Sequence, residues 1–146
     1  MEKWLSHMEK KMDGMHKCMQ VCIEDGHDMK CQRCRLWHDD TGCEAFGLDY
    51  TEIRKLHDML TVYEIPHTFE VRHGGYHLCY PTNGFRRGER VCSAILHGHS
   101  YGSQEGLIEI MGLLKPDEGD DGDVCGWLTA EDVFSRIEKH WKEKNG

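Results

Sequence analysis

The chain has 146 residues, the length of one ordinary domain and enough to bury a core. Its residues are 38% hydrophobic and 30% charged, a soluble globular profile that excludes a disordered chain, and no apolar run approaches the roughly 20 residues that span a bilayer. The net charge of −8 argues against direct binding to nucleic acid, because such binding depends on Lys and Arg neutralising phosphates.

The eight cysteines need an explanation that fits their compartment. The first residues, "MEKWLSHMEKKMDGMHK", are charged throughout and lack the apolar segment of a secretory signal, so we expect a cytoplasmic protein. Because disulfides do not persist in a reducing compartment, the cysteines are expected to be metal ligands, reactive thiols or small buried hydrophobes.

Residues 2–22 have the apolar period of an amphipathic helix. The apolar stripe consists of Trp4, Leu5, Met8, Met12, Met15, Met19 and Cys22. We expect this methionine-rich face to pack on the rest of the domain or on a second copy of the chain. A face kept adaptable for a partner is the alternative.

Residues 23–47 show little periodicity and read as an irregular loop that a metal ion would order. Cys31 and Cys34 have C-x-x-C spacing, Cys18 and Cys22 lie four apart on one helix face, and Cys43 follows Gly42. Four of these five thiolates would complete a closed tetrahedral zinc site, and which four stays open. His27 and His38 are substitutes, while free cysteines and a redox C-x-x-C are the alternatives.

Helical and strand periods follow one another in residues 48–146. A helix is expected from Asp49, capped by Asp49 with Glu52 in a capping box, and it ends before Pro66. Its buried stripe is expected to be Ile53, Leu56, Leu60 and Tyr63. "HTFEVR", "YHLCY", "RVCSAILHG" and "LIEIMGLL" predict four strands in sequence, with Phe69, Val71, Tyr76, Leu78 and Tyr80 facing inward.

The C-terminal part predicts a solvated turn and a final helix. "KPDEGDDGD" lacks the ligand alternation of a calcium loop. Thr129 with Asp132 predicts a capping box, and Leu128 with Val133 a hydrophobic staple. The helix would continue its apolar stripe through Phe134, Ile137 and Trp141.

The predicted fold is therefore α+β, with a four-stranded, mostly antiparallel sheet packed by helices. Residues 1–47 form the N-terminal helix and the zinc-ordered cysteine loop, and residues 48–146 form the sheet domain. Cys79, Cys92 and Cys125 have no partner at motif spacing and are expected to be core residues.

The segment "GFRRGER" is a local positive patch in an acidic chain. Arg86, Arg87 and Arg90 would hold a phosphate or carboxylate bidentately, with Gly84 and Gly88 allowing a close backbone approach. The alternative is that the three arginines solvate a hairpin loop and pair with surface acids.

The segment "HGHSYG" places two histidines at the end of a strand. His97 and His99 lie two residues apart, so both can point the same way and bind a metal, with His73, His77 or Glu109 as a third ligand. Ser100 or Tyr101 would then act as nucleophile or acid. A polar cluster that contacts a ligand and ordinary strand-end hydrogen bonding are the alternatives.

Residues of about 50–140 carry a resemblance to known sequences. The segments "YTEIRKLHDMLTVYEIPHTFEV", "GGYHLCYP", "VCSAILHGHSYG", "GLIEIMGLL" and "GWLTAEDVFSRI" resemble small proteins of gut Firmicutes and their prophages, which have no assigned activity. The resemblance implies a bacterial host cell and a phage or prophage origin. Small accessory proteins of phages often work by binding, so the resemblance implies an antagonist of a host defence system.

Our first hypothesis is a non-enzymatic binding protein with a structural zinc. Its recognition surface would contain Arg86, Arg87, Arg90, His97, His99 and Tyr101. Its partner would be a host protein or a small anionic nucleotide. The alternatives are a metal-dependent hydrolase that uses His97 and His99, and a zinc-containing transcriptional regulator.

Overall fold

The computed structural model describes residues 17, 19–21, 35–39, 42–82, 90–118 and 124–145. Its first described strands form a small hairpin, β1 (Trp37–His38) and β2 (Gly42–Cys43), and a helix follows, α1 (Thr51–Val62). The main sheet consists of β3 (Thr68–Arg72), β4 (Gly75–Pro81), β5 (Arg90–Leu96), β6 (Ile108–Met111) and β7 (Val124–Leu128). A second helix, α2 (Ala130–Asn145), closes the fold.

The sheet is an antiparallel meander in which each strand pairs with the next one along the chain. The α+β class and the antiparallel sheet are therefore confirmed. The number of strands is wrong, because the described residues form a sheet of five strands and a separate hairpin of two. Residues 124–128, "VCGWL", contain a glycine and show no alternation of apolar and polar residues, so pairing with β6 makes them a strand.

The buried stripe of α1 is confirmed at Ile53, Leu56 and Leu60, which are fully buried. The prediction for Tyr63 is wrong, because the helix ends at Val62 and the Tyr63 side chain is 61% exposed. In α2, Phe134 and Ile137 are buried as predicted.

The capping prediction for α1 is wrong in both halves, because the helix begins at Thr51 and its N-cap residue is Tyr50, which makes no side-chain cap hydrogen bond. The Asp49 carboxylate accepts the Thr51 backbone N–H at 2.9 Å, but the Glu52 carboxylate accepts the Ala130 N–H at 2.8 Å. Glu52 therefore satisfies a donor at the N-terminus of the other helix, where a negative charge also faces the positive end of the dipole. Packing between the two helices, which spacing along the chain does not encode, decides this contact.

The capping box of α2 is confirmed. The Asp132 N–H donates to Thr129 Oγ1 at 3.3 Å, and the Thr129 N–H donates to the Asp132 carboxylate at 3.4 Å. Leu128 and Val133, the expected staple, are both buried.

The helices cover one face of the sheet, and alternation along the strands supplies the residues that they bury. On β4, Tyr76, Leu78 and Tyr80 are buried as predicted. His77 and Cys79, which point to the opposite face, are also buried at 6% and 1% exposure. Strand β4 is therefore enclosed on both sides, and this places polar side chains in the interior of the sheet.

The described residues on both sides of the predicted boundary at residues 47 and 48 share one apolar core. From the N-terminal part, the core includes Val21, Leu36, Trp37 and Cys43. Residues 17 and 19–21 are helical, and Met19 of the methionine stripe is 57% exposed. The other stripe residues lie outside the described residues, as does most of the predicted cysteine loop. In the part of the chain that the structure describes, no helix has the length and hydrophobicity of a membrane span.

Arg136 joins α2 to the segment that precedes β7. Its two terminal nitrogens donate to the Glu118 carboxylate at 2.6 and 2.8 Å, and Nη1 also donates to the Leu113 carbonyl at 3.1 Å. The Arg136 hydrogen bonds hold the pKa of the Glu118 carboxyl at about 2, well below its ordinary 4.5. Because the folded chain favours the charged form, this stabilisation is present above pH 4.5 and is lost as the pH falls towards 2.

Replacing Glu118 with Gln should lower the free energy of unfolding by about 1 to 2 kcal/mol at pH 7, because it removes a bidentate charged hydrogen bond that is only partly screened by solvent. Urea unfolding at pH 7 and pH 3 measures the effect, and the difference from the unchanged chain should shrink at pH 3. Glu131→Gln is the matched control, since its pair with Lys55 is exposed on both sides and should matter far less. Equal losses in the two variants would contradict the role of Glu118.

Candidate functional site

Five of the predicted site residues are described by the structure: Cys43, Arg90, His97, His99 and Tyr101. The other predicted metal ligands, Cys18, Cys22, Cys31 and Cys34, lie outside the described residues. So do Arg86 and Arg87, which belong to the connection between β4 and β5.

Cys43 is buried on β2, opposite Trp37 of β1. Its backbone N–H donates to the Tyr50 hydroxyl at 3.4 Å, and that hydroxyl donates to the Gly74 carbonyl at 2.5 Å. Among the described residues, no three His, Cys, Asp or Glu side chains form a group able to hold a metal ion. The zinc site therefore remains a prediction that depends on the cysteines outside the described residues.

Phe46 connects the end of the cysteine segment to the two turns that carry the histidines. A Cβ added at Gly74 would lie 2.7 Å from its ring, and one added at Gly98 would also collide with it. Both positions therefore need glycine, because only a residue without a side chain leaves room for Phe46. The ring also packs edge-on against His99 at 6.1 Å between centroids. The described end of the cysteine segment, residues 43–46, thus lies beside the "HGHSYG" turn.

The turn after β5 gathers three histidines. The ring centroids of His97 and His99 are 5.8 Å apart, and the ring of His73 lies 5.3 Å from His97 and 6.1 Å from His99. The His97 Nδ1 accepts the backbone N–H of His99 at 3.1 Å, and this bond fixes the conformation of the turn. His73, named from the sequence as one of three possible third ligands, is the one that joins the two histidines.

The other two proposed third ligands take different positions. The Glu109 carboxylate accepts the Tyr101 backbone N–H at 2.9 Å, so it stabilises the loop. His77 belongs to a second cluster on the sheet face opposite α1 and α2. Tyr101 does not join the histidines either, because its ring stacks on Trp127.

The second cluster has a chain of polar contacts across β3, β4 and β5. His77 Nδ1 lies 3.3 Å from Arg72 Nη1, and His77 Nε2 lies 2.7 Å from Ser93 Oγ and 3.2 Å from Cys79 Sγ. Arg90 Nη1 approaches the same sulfur at 4.0 Å. Arginine only donates, so His77 Nδ1 is the acceptor and the neutral ring carries its proton on Nε2.

Burial and two cations keep His77 neutral. Desolvation is the largest effect that lowers the pKa of His77, and the charges of Arg72 and Arg90 lower it further. Protonation would put a second N–H against the Arg72 guanidinium. The cluster therefore keeps a neutral imidazole between two exposed guanidinium groups.

Cys79 is poorly suited to act as a nucleophile in spite of its contact with an imidazole. Its side chain is 1% exposed, and burial raises the pKa of the Cys79 thiol. Cys92 on the helix side is equally buried, and burial raises the pKa of its thiol to about 12. These two cysteines are core residues as predicted, whereas Cys125 is half-buried.

The two predicted recognition segments lie at opposite ends of β5, because Arg90 begins the strand and His97 follows its last residue. Seven residues of strand separate the ends by about 20 Å. The polar contacts on the neighbouring strands bridge this distance. We call the resulting line of side chains the polar track. It consists, in spatial order, of Arg90, Cys79, His77, Arg72, His73, His97 and His99.

Sequence reasoning missed the middle of the polar track. Arg72, Cys79 and Ser93 were not assigned to a site, although alternation was a usable signal. Alternation predicts that Tyr76, Leu78 and Tyr80 face inward. His77 and Cys79 must then face the opposite side of the sheet. Which residues of β3 and β5 stand beside them depends on strand register, with Cys79 opposite Thr68 and Ser93.

Replacing Arg72 with Gln should raise the pKa of His77, because it removes a neighbouring positive charge. Titrating the imidazole resonances by NMR in the full chain measures this pKa. The pKa of His77 in the folded chain lies below the ordinary 6.5. As the pH falls below 6.5, the unfolded chain therefore binds more protons than the folded chain. The stabilisation by neutral His77 is thus present above pH 6.5 and is lost as the pH falls towards the folded pKa.

Arg54→Gln is the matched control, since this guanidinium lies on the helix side, 2.8 Å from the Tyr76 hydroxyl. It should leave the pKa of His77 unchanged. A pKa that Arg72→Gln does not move would mean that Arg72 has no electrostatic contact with the ring in solution.

Comparisons of the chain with protein families, with curated proteins and with solved structures find no match in any of the three.

Proposed function

We propose that this chain is a non-enzymatic binding protein that takes an anionic ligand along the polar track. The observation that carries the proposal is the convergence of Arg72 and Arg90 on the buried His77. Both arginines are exposed, so their guanidinium groups are accessible to a ligand, while the ring between them is fixed.

The chemistry of the polar track favours phosphate or carboxylate. A guanidinium donates two parallel hydrogen bonds to either anion, and its charge persists at all physiological pH values. In the sheet register, Glu70 lies opposite His77 and is exposed, so one carboxylate stands beside the two guanidinium groups and opposes part of their positive charge. Arg86 and Arg87 lie four and three residues before Arg90 in the sequence and would add two more donors.

The two guanidinium groups of the polar track, from Arg72 and Arg90, favour a ligand with more than one anionic group. Arg90 and His97 are separated by about 20 Å of strand, which is longer than a single phosphate needs. A nucleotide with several phosphates fits these chemical requirements. Together with the resemblance to prophage proteins, this supports an inhibitor that sequesters a nucleotide of a host defence system.

Two observations favour binding over catalysis at this site. Its thiol, Cys79, is buried and has a raised pKa. Its histidine, His77, has its acceptor nitrogen directed at a guanidinium, which opposes its acting as a general base. The hydrolase and regulator hypotheses gain no comparable support from the described residues.

Replacing Arg90 or Arg72 with Ala should weaken binding of a nucleoside triphosphate by about tenfold or more, because each change removes a bidentate charged donor. Isothermal titration calorimetry with adenosine triphosphate and with a dinucleotide measures the affinity. Arg54→Ala, which removes the same charge from the helix side, is the matched control and should bind like the unchanged chain. Unaltered affinity in both track variants would contradict the proposal.

We further propose that four of Cys18, Cys22, Cys31, Cys34 and Cys43 hold one structural zinc. Metal analysis of the purified chain should find about one zinc, and a chelator should lower the unfolding temperature. Cys31→Ser should lose the metal, whereas Cys125→Ser, which changes a cysteine outside the predicted set, should keep it. A chain that is folded and free of zinc would contradict this proposal.

A further inference from the structure

Tyr101 and Trp127 form an aromatic pair that is half exposed to solvent. Their ring centroids are 5.8 Å apart with 20° between the planes, and the two side chains are 51% and 56% exposed. Large aromatic side chains usually gain stability by leaving water, so a stacked pair that stays half exposed marks a contact surface.

A bulge in β7 directs Trp127 to this position. Ile108 pairs with Leu128 and Ile110 pairs with Cys125, so Glu109 of β6 faces the two residues Gly126 and Trp127. The Trp127 backbone has φ 58°, a left-handed conformation that is strained for a residue with a bulky side chain. A residue that tolerates this backbone conformation would make the fold more stable than Trp127 does. Backbone strain of this kind is therefore found most often at positions that serve a function.

Two glycines bring the backbones of the pair together. A Cβ added at Gly126 would lie 2.6 Å from the Tyr101 Cβ, and one added at Gly102 would lie 2.9 Å from the Trp127 nitrogen. The close approach therefore depends on glycine at both positions. The stacking of the two rings at the surface therefore depends on three features: the bulge, the strained backbone of Trp127 and the two close glycine contacts.

The surroundings of the aromatic pair are acidic. Glu109 lies opposite the bulge and binds the Tyr101 N–H, and Glu105 is exposed on the turn that follows Tyr101. The net charge of the chain is −8. Aromatic faces attract cations, and nearby carboxylates strengthen the attraction by raising the local concentration of positive groups.

We propose that Tyr101 and Trp127 form a docking site for a basic segment of a partner protein, with a Lys or Arg side chain over the exposed ring face. The proposal goes beyond the binding of an anion, since it uses different residues and the opposite charge. Charge complementarity with an acidic chain selects the partner, and the rigid pair of rings orients its cationic side chain.

The test is to titrate the full chain with a short peptide rich in Lys and Arg while following the Trp indole N–H signals by NMR. The Trp127 signal, assigned by its loss in Trp127→Asn, should shift saturably with this peptide and not with a matched Glu-rich peptide. Tyr101→Ala and Trp127→Asn should each weaken binding by about three- to tenfold. Tyr63→Ala, which changes an equally exposed tyrosine at the end of α1, should have no effect.

A stability measurement separates docking from a structural role. Asn adopts positive φ more readily than Trp, so Trp127→Asn should keep the unfolding midpoint or raise it while it loses binding. Peptide affinity that is unchanged in both Tyr101→Ala and Trp127→Asn would overturn the proposal. An equal response of Trp127 to the Glu-rich peptide would overturn it as well.

Discussion

Strand β4 lies between β3 and β5 and is buried on both of its faces, and the arrangement of the other elements follows from that enclosure. Its two tyrosines reach different helices. The Tyr76 hydroxyl accepts a hydrogen bond from Arg54 of α1 at 2.8 Å, and the Tyr80 hydroxyl lies 2.8 Å from His140 Nδ1 of α2. A buried hydroxyl needs a partner, so these two contacts fix where the helices lie on the sheet.

The opposite face of β4 imposes a second requirement. His77 is buried, and a buried imidazole left without partners would cost free energy that apolar neighbours do not offset. Arg72 and Ser93 supply those partners from the flanking strands. The fold therefore requires the polar contacts at the centre of the polar track, because His77 is buried there. The guanidinium groups in these contacts remain exposed at the surface. The side chains that meet this structural need are therefore the ones on which the proposed binding depends.

The sheet also positions two surfaces of different composition. The polar track carries the guanidinium groups of Arg72 and Arg90, whereas the aromatic pair at β7 lies beside the carboxylate of Glu109. Helix α2 is held at its N-terminus by Glu52 and in its middle by Arg136, so the segments before and after β7 are attached to the helix layer. A rigid edge of this kind keeps the bulge at Trp127 in place, because relaxing it would disturb contacts on both sides.

The sequence by itself determined the α+β class, most strands, and the helix stripe at Ile53, Leu56 and Leu60, because these follow from periods that a local segment carries. The capping box of Thr129 and Asp132 was predictable for the same reason, since both partners lie within one turn. Only the tertiary structure decided that Glu52 caps the other helix, that residues 124–128 form a fifth strand, and that His73, rather than His77 or Glu109, joins His97 and His99. It alone placed Ser93 beside His77 and Trp127 against Tyr101. Each of these contacts joins residues far apart in the chain, and strand register and helix packing, which are properties of the whole fold, bring them together.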